Sequence, residues 1–295
     1  MKRILVPVDF STNSKKAFRY AVDIASRSEG TIFLYHLFRP LKASEAGVVF
    51  DVDEHNRRLQ EIVLKKLQRL QKKVLADTNV NVPVFAYAGR IPVVKNILDF
   101  AGENNIDLVV MGTKGASGLK KITLGSNASK IIQRAKIPVL LIPEKFKWET
   151  PAKILFTTAI QKSDSDAIPI LSELSGLYHA EITMLHVRDP HQPETMKDKK
   201  EFERHASAMQ KVFKNTKFEL RQIDTFSISK TLQQLHKEIP YDILVMIRRT
   251  KSLIQKIFVE SFTKNMAFIT NKPLLIIPQD KKASLAESAI KTQKK

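Results

Sequence analysis

The sequence predicts a two-domain α/β protein with parallel sheets. Three observations carry this. The chain has 295 residues, about two domains of ordinary size, each long enough to bury a sizeable core. It contains an internal repeat. Within each copy, short β-branched runs alternate with stretches of helical period, which marks βαβ units rather than a sandwich.

The repeat organises everything else. "ILVPVDFS" (4–11) returns as "ILFTTAIQ" (154–161), and "TIFLYHL" (31–37) as "EITMLHV" (181–187), both at an offset of 150. Nearer the end of each copy, "DLVVMG" (107–112) aligns with "DILVMI" (242–247), and "IPVLLIP" (137–143) with "KPLLIIP" (272–278), at an offset of 135. The second copy is therefore 15 residues shorter in its middle. The boundary falls in "EKFKWETPAK" (144–153). This gives domains over 1–146 and 152–279, and a basic tail over 280–295 with no substantial apolar face.

In the first copy the runs predict strands near 3–8, 31–37, 82–87, 107–111 and 138–142. Helices are predicted near 12–28, 53–76, 91–103 and 126–135, with 39–51 as a loop. Ser11 or Thr12 can cap the first helix and Ser126 the last. The helix around "RRLQEIVLKKLQRLQKKVL" (57–75) has Leu59, Ile62, Val63, Leu67, Leu70 and Val74 at helical spacing with basic residues opposite. Core packing with a solvated basic face is its ordinary reading, against binding to a membrane surface or nucleic acid.

Composition narrows the chemistry. Hydrophobic residues make up 43% and charged residues 27%, which excludes wholesale disorder. There is no cysteine, so thiol catalysis, Cys-ligated metal and disulfides are excluded and a reducing cytoplasm fits. Pro7 and Asp9 interrupt the first apolar run well short of a signal-peptide core. Later apolar runs are strand-sized, far below the roughly 20 residues of a membrane span. A soluble cytoplasmic protein is expected. The net charge is +19, spread as +11 over residues 1–150 and +8 over 151–295. Such a field attracts nucleotides, nucleic acid or anionic lipid without choosing among them. The seven histidines show no paired metal spacing. His36 and His186 occupy equivalent positions at strand ends, which points to a shared structural role. No nucleophile elbow and no acid/base pair assignable to catalysis is present.

Of nine glycines, Gly112, Gly115, Gly118 and Gly125 sit within "GTKGASGLKKITLG", directly after a strand and before a helix. Glycines there allow close backbone approach, and the helix start offers unpaired N–H groups and a positive dipole end. That suits a phosphate chain, with Lys114, Lys120 and Lys121 adding positive charge; the alternative is a loop without a ligand. Asp9, at the end of the first strand, suits ribose hydroxyls or an adenine amino group, or a turn or cap.

The spacing Gly112-x2-Gly115-x9-Gly125-Ser126 resembles the ATP-binding signature of the universal stress protein family. "ILVPVDFS" resembles the family's first strand and "PVLLIP" its last. The resemblance covers nearly the whole chain as two tandem domains. It implies flavodoxin-like (adenine nucleotide alpha hydrolase-like) domains, each a five-stranded parallel sheet in strand order 3-2-1-4-5 with helices on both faces. It also implies ATP, with Mg2+, across the strand ends. By position, Pro7 and Asp9 would lie by adenine and ribose, with Leu37 at the end of the second strand and Met111 against the nucleoside. Gly112 and Gly115 would admit ribose and phosphates, while Gly125, Ser126 and Asn127 would hold the phosphates. Ala128 departs from the hydroxyl or amide common in ATP-binding members, which would remove one phosphate contact.

The second copy lacks the pattern. Gly112, Gly115, Gly118 and Gly125 align with Ile247, Thr250, Leu253 and Glu260, and Asp9 aligns with Ala159; only Ser261 survives. A carboxylate about 4 Å from a phosphate charge costs on the order of 4 kcal/mol at an effective dielectric near 20, beyond what one hydroxyl bond of about 1 kcal/mol offsets. Arg248 and Arg249 leave open some other anion there, or simple solvation. The expectation is one ATP per chain, bound by a nucleotide-responsive module whose second domain is a degenerate partner. Family homodimers imply that 138–142 and 273–277 pair within the chain, leaving open a homodimer of tandems. The alternatives are a slow ATPase or nucleotide hydrolase, and a basic scaffold that binds nucleic acid or an anionic partner without ATP.

Overall fold

A computed structural model of the chain describes residues 1–42, 51–113, 124–158, 160, 164, 167–188, 191, 194–224, 239–248 and 271–279. The chain divides into two compact units, Met1–Glu144 and Lys145–Lys295.

In the first unit the elements run β1 (Arg3–Pro7), α1 (Thr12–Ser28), β2 (Thr31–Phe38), α2 (Val52–Thr78), β3 (Val84–Arg90), α3 (Val93–Glu103), β4 (Leu108–Gly112), α4 (Ser126–Arg134) and β5 (Val139–Ile142). The strands lie in the order β3-β2-β1-β4-β5. All neighbours are parallel, with Ile4 beside both Ile32 and Leu108. Strand β1 is central, and Ile4, Leu5 and Val6 are fully buried. Helix α1 packs across β1, β2, β4 and β5 and touches α2, while α3 and α4 pack on each other.

Local chemistry fixes the boundaries. The Ser11 hydroxyl accepts the Ser14 N–H at 3.1 Å, so Ser11 rather than Thr12 caps α1. Helix α1 closes on Glu29 in the left-handed region, and the Gly30 N–H returns to the Ala25 carbonyl at 2.8 Å. Helix α2 is held by Val63, Leu67, Leu70 and Val74, each at most 8% exposed. Full burial of such a side chain is worth roughly 1.5–3 kcal/mol.

Three expectations need correction. The third strand runs to Arg90 rather than ending at 87, because β2 continues to pair with it through Phe38. Gly89 resembles a strand end but lies inside β3, where the Tyr35 ring crosses the space a Cβ would take. The helix expected from 91 begins at Val93, since Pro92 is still extended. Finally, Gly125, not Ser126, is the N-cap of α4, and no side chain caps that helix. Residues 43–50 of the expected 39–51 loop and the whole 280–295 tail lie outside the described residues.

The second unit contains β6 (Lys153–Thr158), α5 (Ile168–Tyr178), β7 (Glu181–Arg188), α6 (Met196–Val212), β8 (Phe218–Asp224), β9 (Ile243–Arg248) and β10 (Leu274–Pro278). Its order is β8-β7-β6-β9-β10, again parallel, so both units share the order 3-2-1-4-5. The repeat extends to individual hydrogen bonds. Asp107 Oδ2 accepts the N–H groups of Lys2 and Arg3 at 2.8 and 2.9 Å, and Asp242 Oδ2 accepts those of Ala152 and Lys153 at 2.9 and 3.0 Å. In each copy a carboxylate just before the fourth strand ties down the start of the central strand.

Candidate functional site

The order of the first sheet places a crevice before any side chain is considered. From β1 the chain passes through α1 to β2 on one side, and from β3 through α3 to β4 on the other. The carboxyl ends of β1 and β4 therefore flank the point where the winding reverses, the place where open α/β sheets bind ligands.

Pro7 ends β1 and Asp9 follows in the turn to α1. Asp9 Oδ1 accepts the Ser11 N–H at 3.0 Å, so the carboxylate does serve the turn. A carboxylate has about four acceptor positions, so that bond does not exhaust it. Phe10 holds φ 63°, uncommon for a side chain of this bulk. Its ring lies 4.6 Å from that of His36. His36 Nδ1 lies 2.7 Å from the Val8 carbonyl. Since a carbonyl only accepts, Nδ1 carries the proton and donates. Leu37 is half-buried in β2, opposite Gly89.

Met111 and Gly112 end β4, and both are buried. A Cβ on Gly112 would lie 2.7 Å from Nδ2 and 2.8 Å from Cγ of Asn13. Asn13, buried in the first turn of α1, reaches the Thr113 hydroxyl at 3.4 Å. The missing side chain of Gly112 is thus filled by Asn13, which locks α1 to the end of β4. The Gly125 N–H donates to the Thr113 carbonyl at 2.7 Å. Through Thr113, the end of β4, the start of α1 and the start of α4 meet. Ser126 and Asn127 are exposed in the first turn of α4, whose N–H groups have no side-chain cap. Ala128 is 3% exposed and faces the core, so a hydroxyl at that position would not point to solvent beside Ser126. Gly115, Gly118 and the three loop lysines lie outside the described residues.

Sequence reasoning thus singled out Pro7, Asp9, Met111, Gly112, Gly125, Ser126 and Asn127, which the fold gathers at one edge; Leu37 lies further along β2, with no direct bond to them. It missed Asn13, Thr113 and Phe10. Asn13 read as one more polar residue of a helix start. Nothing local announces that it fills the place of a side chain absent 99 positions later, at Gly112.

In the second unit the described residues at the corresponding strand ends are packed and paired among themselves. Ile247, at the place of Gly112, is 2% exposed. The Thr158 hydroxyl bonds the fully buried Asp164 carboxylate and accepts the Ile160 N–H at 2.9 Å. Ile160 holds φ 54°, matching Phe10. His186 Nδ1 lies 3.3 Å from the Thr158 carbonyl, as His36 lies by Val8. The two histidines therefore share a structural role. Burial pushes the His186 imidazole below its ordinary range, and burial likewise lowers the Arg248 guanidinium. Arg188 makes two bonds to Asp224, at 2.9 and 2.8 Å, with Glu194 at 3.5 Å, so its charge is already neutralised. Ala159, Arg249, Thr250, Leu253, Glu260 and Ser261 lie outside the described residues.

Comparison with known proteins agrees with this fold. The sequence profile of the universal stress protein family matches residues 1–143. The universal stress protein YxiE of Bacillus subtilis is 31% identical over 147 residues, covering 48% of this chain and 97% of its own length. The universal stress protein MJ0531 of Methanocaldococcus jannaschii is 30% identical over 151 residues, covering 50% of this chain and 84% of its own. Among solved structures, a universal stress protein from Archaeoglobus fulgidus superposes with a TM-score of 0.65 at 18% identity, over 95% of this chain and 97% of that one. An identity this low speaks for the fold alone. Sequence and fold together place this chain in the universal stress protein family.

Proposed function

We propose that the first unit binds one adenine nucleotide, ATP, along the carboxyl ends of β1 and β4, and that the chain works as a nucleotide-responsive module rather than a fast enzyme. One observation carries the reading. The Gly112-x2-Gly115-x9-Gly125-Ser126 spacing leads into a helix start whose first-turn N–H groups lack a side-chain acceptor, beside the point where the sheet reverses. Unpaired donors at a positive helix end suit phosphate oxygens.

In this reading Gly115, Gly125, Ser126 and Asn127 hold the phosphates, and Pro7, Asp9, Leu37 and Met111 line the nucleoside. Asp9 supplies the acceptor for ribose or the adenine amino group. Gly112 contributes by admitting Asn13, which fixes Thr113 and through it the start of α4. Mg2+ enters with the triphosphate, whose own oxygens would hold it; among the described residues no cluster of three acidic or histidine side chains offers a protein-built metal site. Ile247 at the place of Gly112 supports a second unit without an equivalent nucleotide.

The test is to denature freshly purified protein, identify any nucleotide released, and titrate the nucleotide-free chain with Mg-ATP while following phosphate release. Binding with turnover far below the ~10 s⁻¹ typical of enzymes is expected. Consumption at that typical rate, lost in Asp9→Asn with binding retained, would replace the module with a hydrolase. Absence of binding would leave the basic-scaffold reading.

A further inference from the structure

Helix α2 turns Val63, Leu67, Leu70 and Val74 into the core. What it offers to solvent is basic: Lys65, Lys66, Arg69, Lys72 and Lys73 are all exposed. Neighbouring cations are paired. Arg57 and Arg58 close on Glu54, and Arg19 of α1 closes on Asp77 at 2.6 Å. From Ile62 to Ala76 the sequence contains no acidic residue. Among the described residues, none of the five middle cations makes an ion pair. Glu61, one turn before Lys65, is exposed and makes none either.

Their spacing forms a pattern. At 3.6 residues per turn, Lys65 and Lys72 fall within about 20° of each other, as do Lys66 and Lys73. The two rows stand about 100° apart around the helix, each pair separated by roughly 10 Å along the axis, with Arg69 between them. We propose that this face of α2 is a docking surface for duplex nucleic acid, held through phosphates on both sides of the helix and without base readout.

Charge complementarity identifies a polyanion, and geometry chooses among polyanions. A helix that settles on a membrane buries apolar side chains among the lipids. Here the apolar row is consumed by the sheet, and Ile62 is the one large apolar side chain exposed on this helix. Cations spread around the helix face phosphates on either flank, and a major groove about 12 Å wide admits an α-helix. The net charge of +19 adds long-range attraction.

The experiment measures binding of the full chain to a short labelled DNA duplex of mixed sequence, by fluorescence anisotropy over a range of salt. Five phosphate contacts predict a slope of log K on log salt near −4.5, about −0.9 for each. Reversing Lys65, Lys66, Lys72 and Lys73 to Glu should remove about 3.6 from that slope, and with it at least tenfold in affinity. Reversing the exposed Lys145, Lys147, Lys211 and Lys214 changes net charge equally and should leave the slope within about one. Should the Glu variant fail to fold, the Gln variant at the same four positions removes the charges without adding repulsion. Gly115→Val should bind duplex like the parent, which separates this surface from the nucleotide site. The proposal is overturned if both reversals weaken binding equally, if the duplex is not bound, or if vesicles containing phosphatidylserine are bound through these four lysines in its place.

Discussion

A single missing side chain does most to shape the edge where β1 and β4 end. Gly112 reads as a ligand-binding glycine, yet its vacant space already contains Asn13. Gly112→Ala should therefore destabilise the protein by about 1–3 kcal/mol, the ordinary cost of forcing an atom into a packed site. Denaturant unfolding of Gly112→Ala, Asn13→Ala and the double variant checks this. The account expects the double variant to recover much of the loss; additive losses would mean that Asn13 is not what the glycine accommodates. His186 carries a pH dependence. Its folded value is depressed by burial, so the unfolded chain takes up the proton first. Its contribution to stability is complete above the unfolded value of 6.5, declines as the pH falls below that, and is gone once the pH passes the folded value. His186→Gln should flatten the stability curve on that acid side, and an unchanged curve would contradict the assignment.

Elements were legible wherever a local rule decides the outcome. The apolar period and a serine cap place α1 over Thr12–Ser28, as expected from the sequence. The alternating runs likewise locate all five strands of the first sheet. Misplaced ends share one cause: tertiary contact overrode a local signal. Gly89 stays in its strand because Tyr35 crosses it, and Ser126 gives up the cap because Gly125 is tied to Thr113. Asp107 and Asp242 belong to this class too, since a carboxylate that reaches back to the first strand cannot be read from its neighbours. Asp242→Ala leaves two N–H groups at the start of β6 without their acceptor and should cost about 1–3 kcal/mol. Asp242→Asn keeps an acceptor oxygen and should cost less; equal losses in the two unfolding curves would deny the backbone bonds their role.

At the scale of the whole molecule, the repeat in the sequence became a repeat of strand order, of strand-start carboxylates and of histidine-to-carbonyl contacts. The two copies differ where glycines of the first are replaced in the second. A single intact set of glycines is legible from sequence alone, because Gly112 and Gly125 of the first copy align with Ile247 and Glu260. The contribution of Asn13 was not. The sequence also leads us to expect that the apolar strand at 138–142 needs a covering partner. Residues 1–146 expressed alone should then self-associate or aggregate, and Leu140→Pro, which removes a ladder hydrogen bond, should weaken the association. Sedimentation of that fragment as a stable monomer with full nucleotide affinity would contradict the expectation.

The central claim is one nucleotide site per chain, built on the first copy's glycines. Isothermal titration of the nucleotide-free full chain with Mg-ATP tests it most directly. The account predicts a stoichiometry of at most one, binding abolished by Gly115→Val and preserved in Thr250→Val. Two equivalent sites, or a Thr250→Val chain that loses binding while Gly115→Val keeps it, would contradict it.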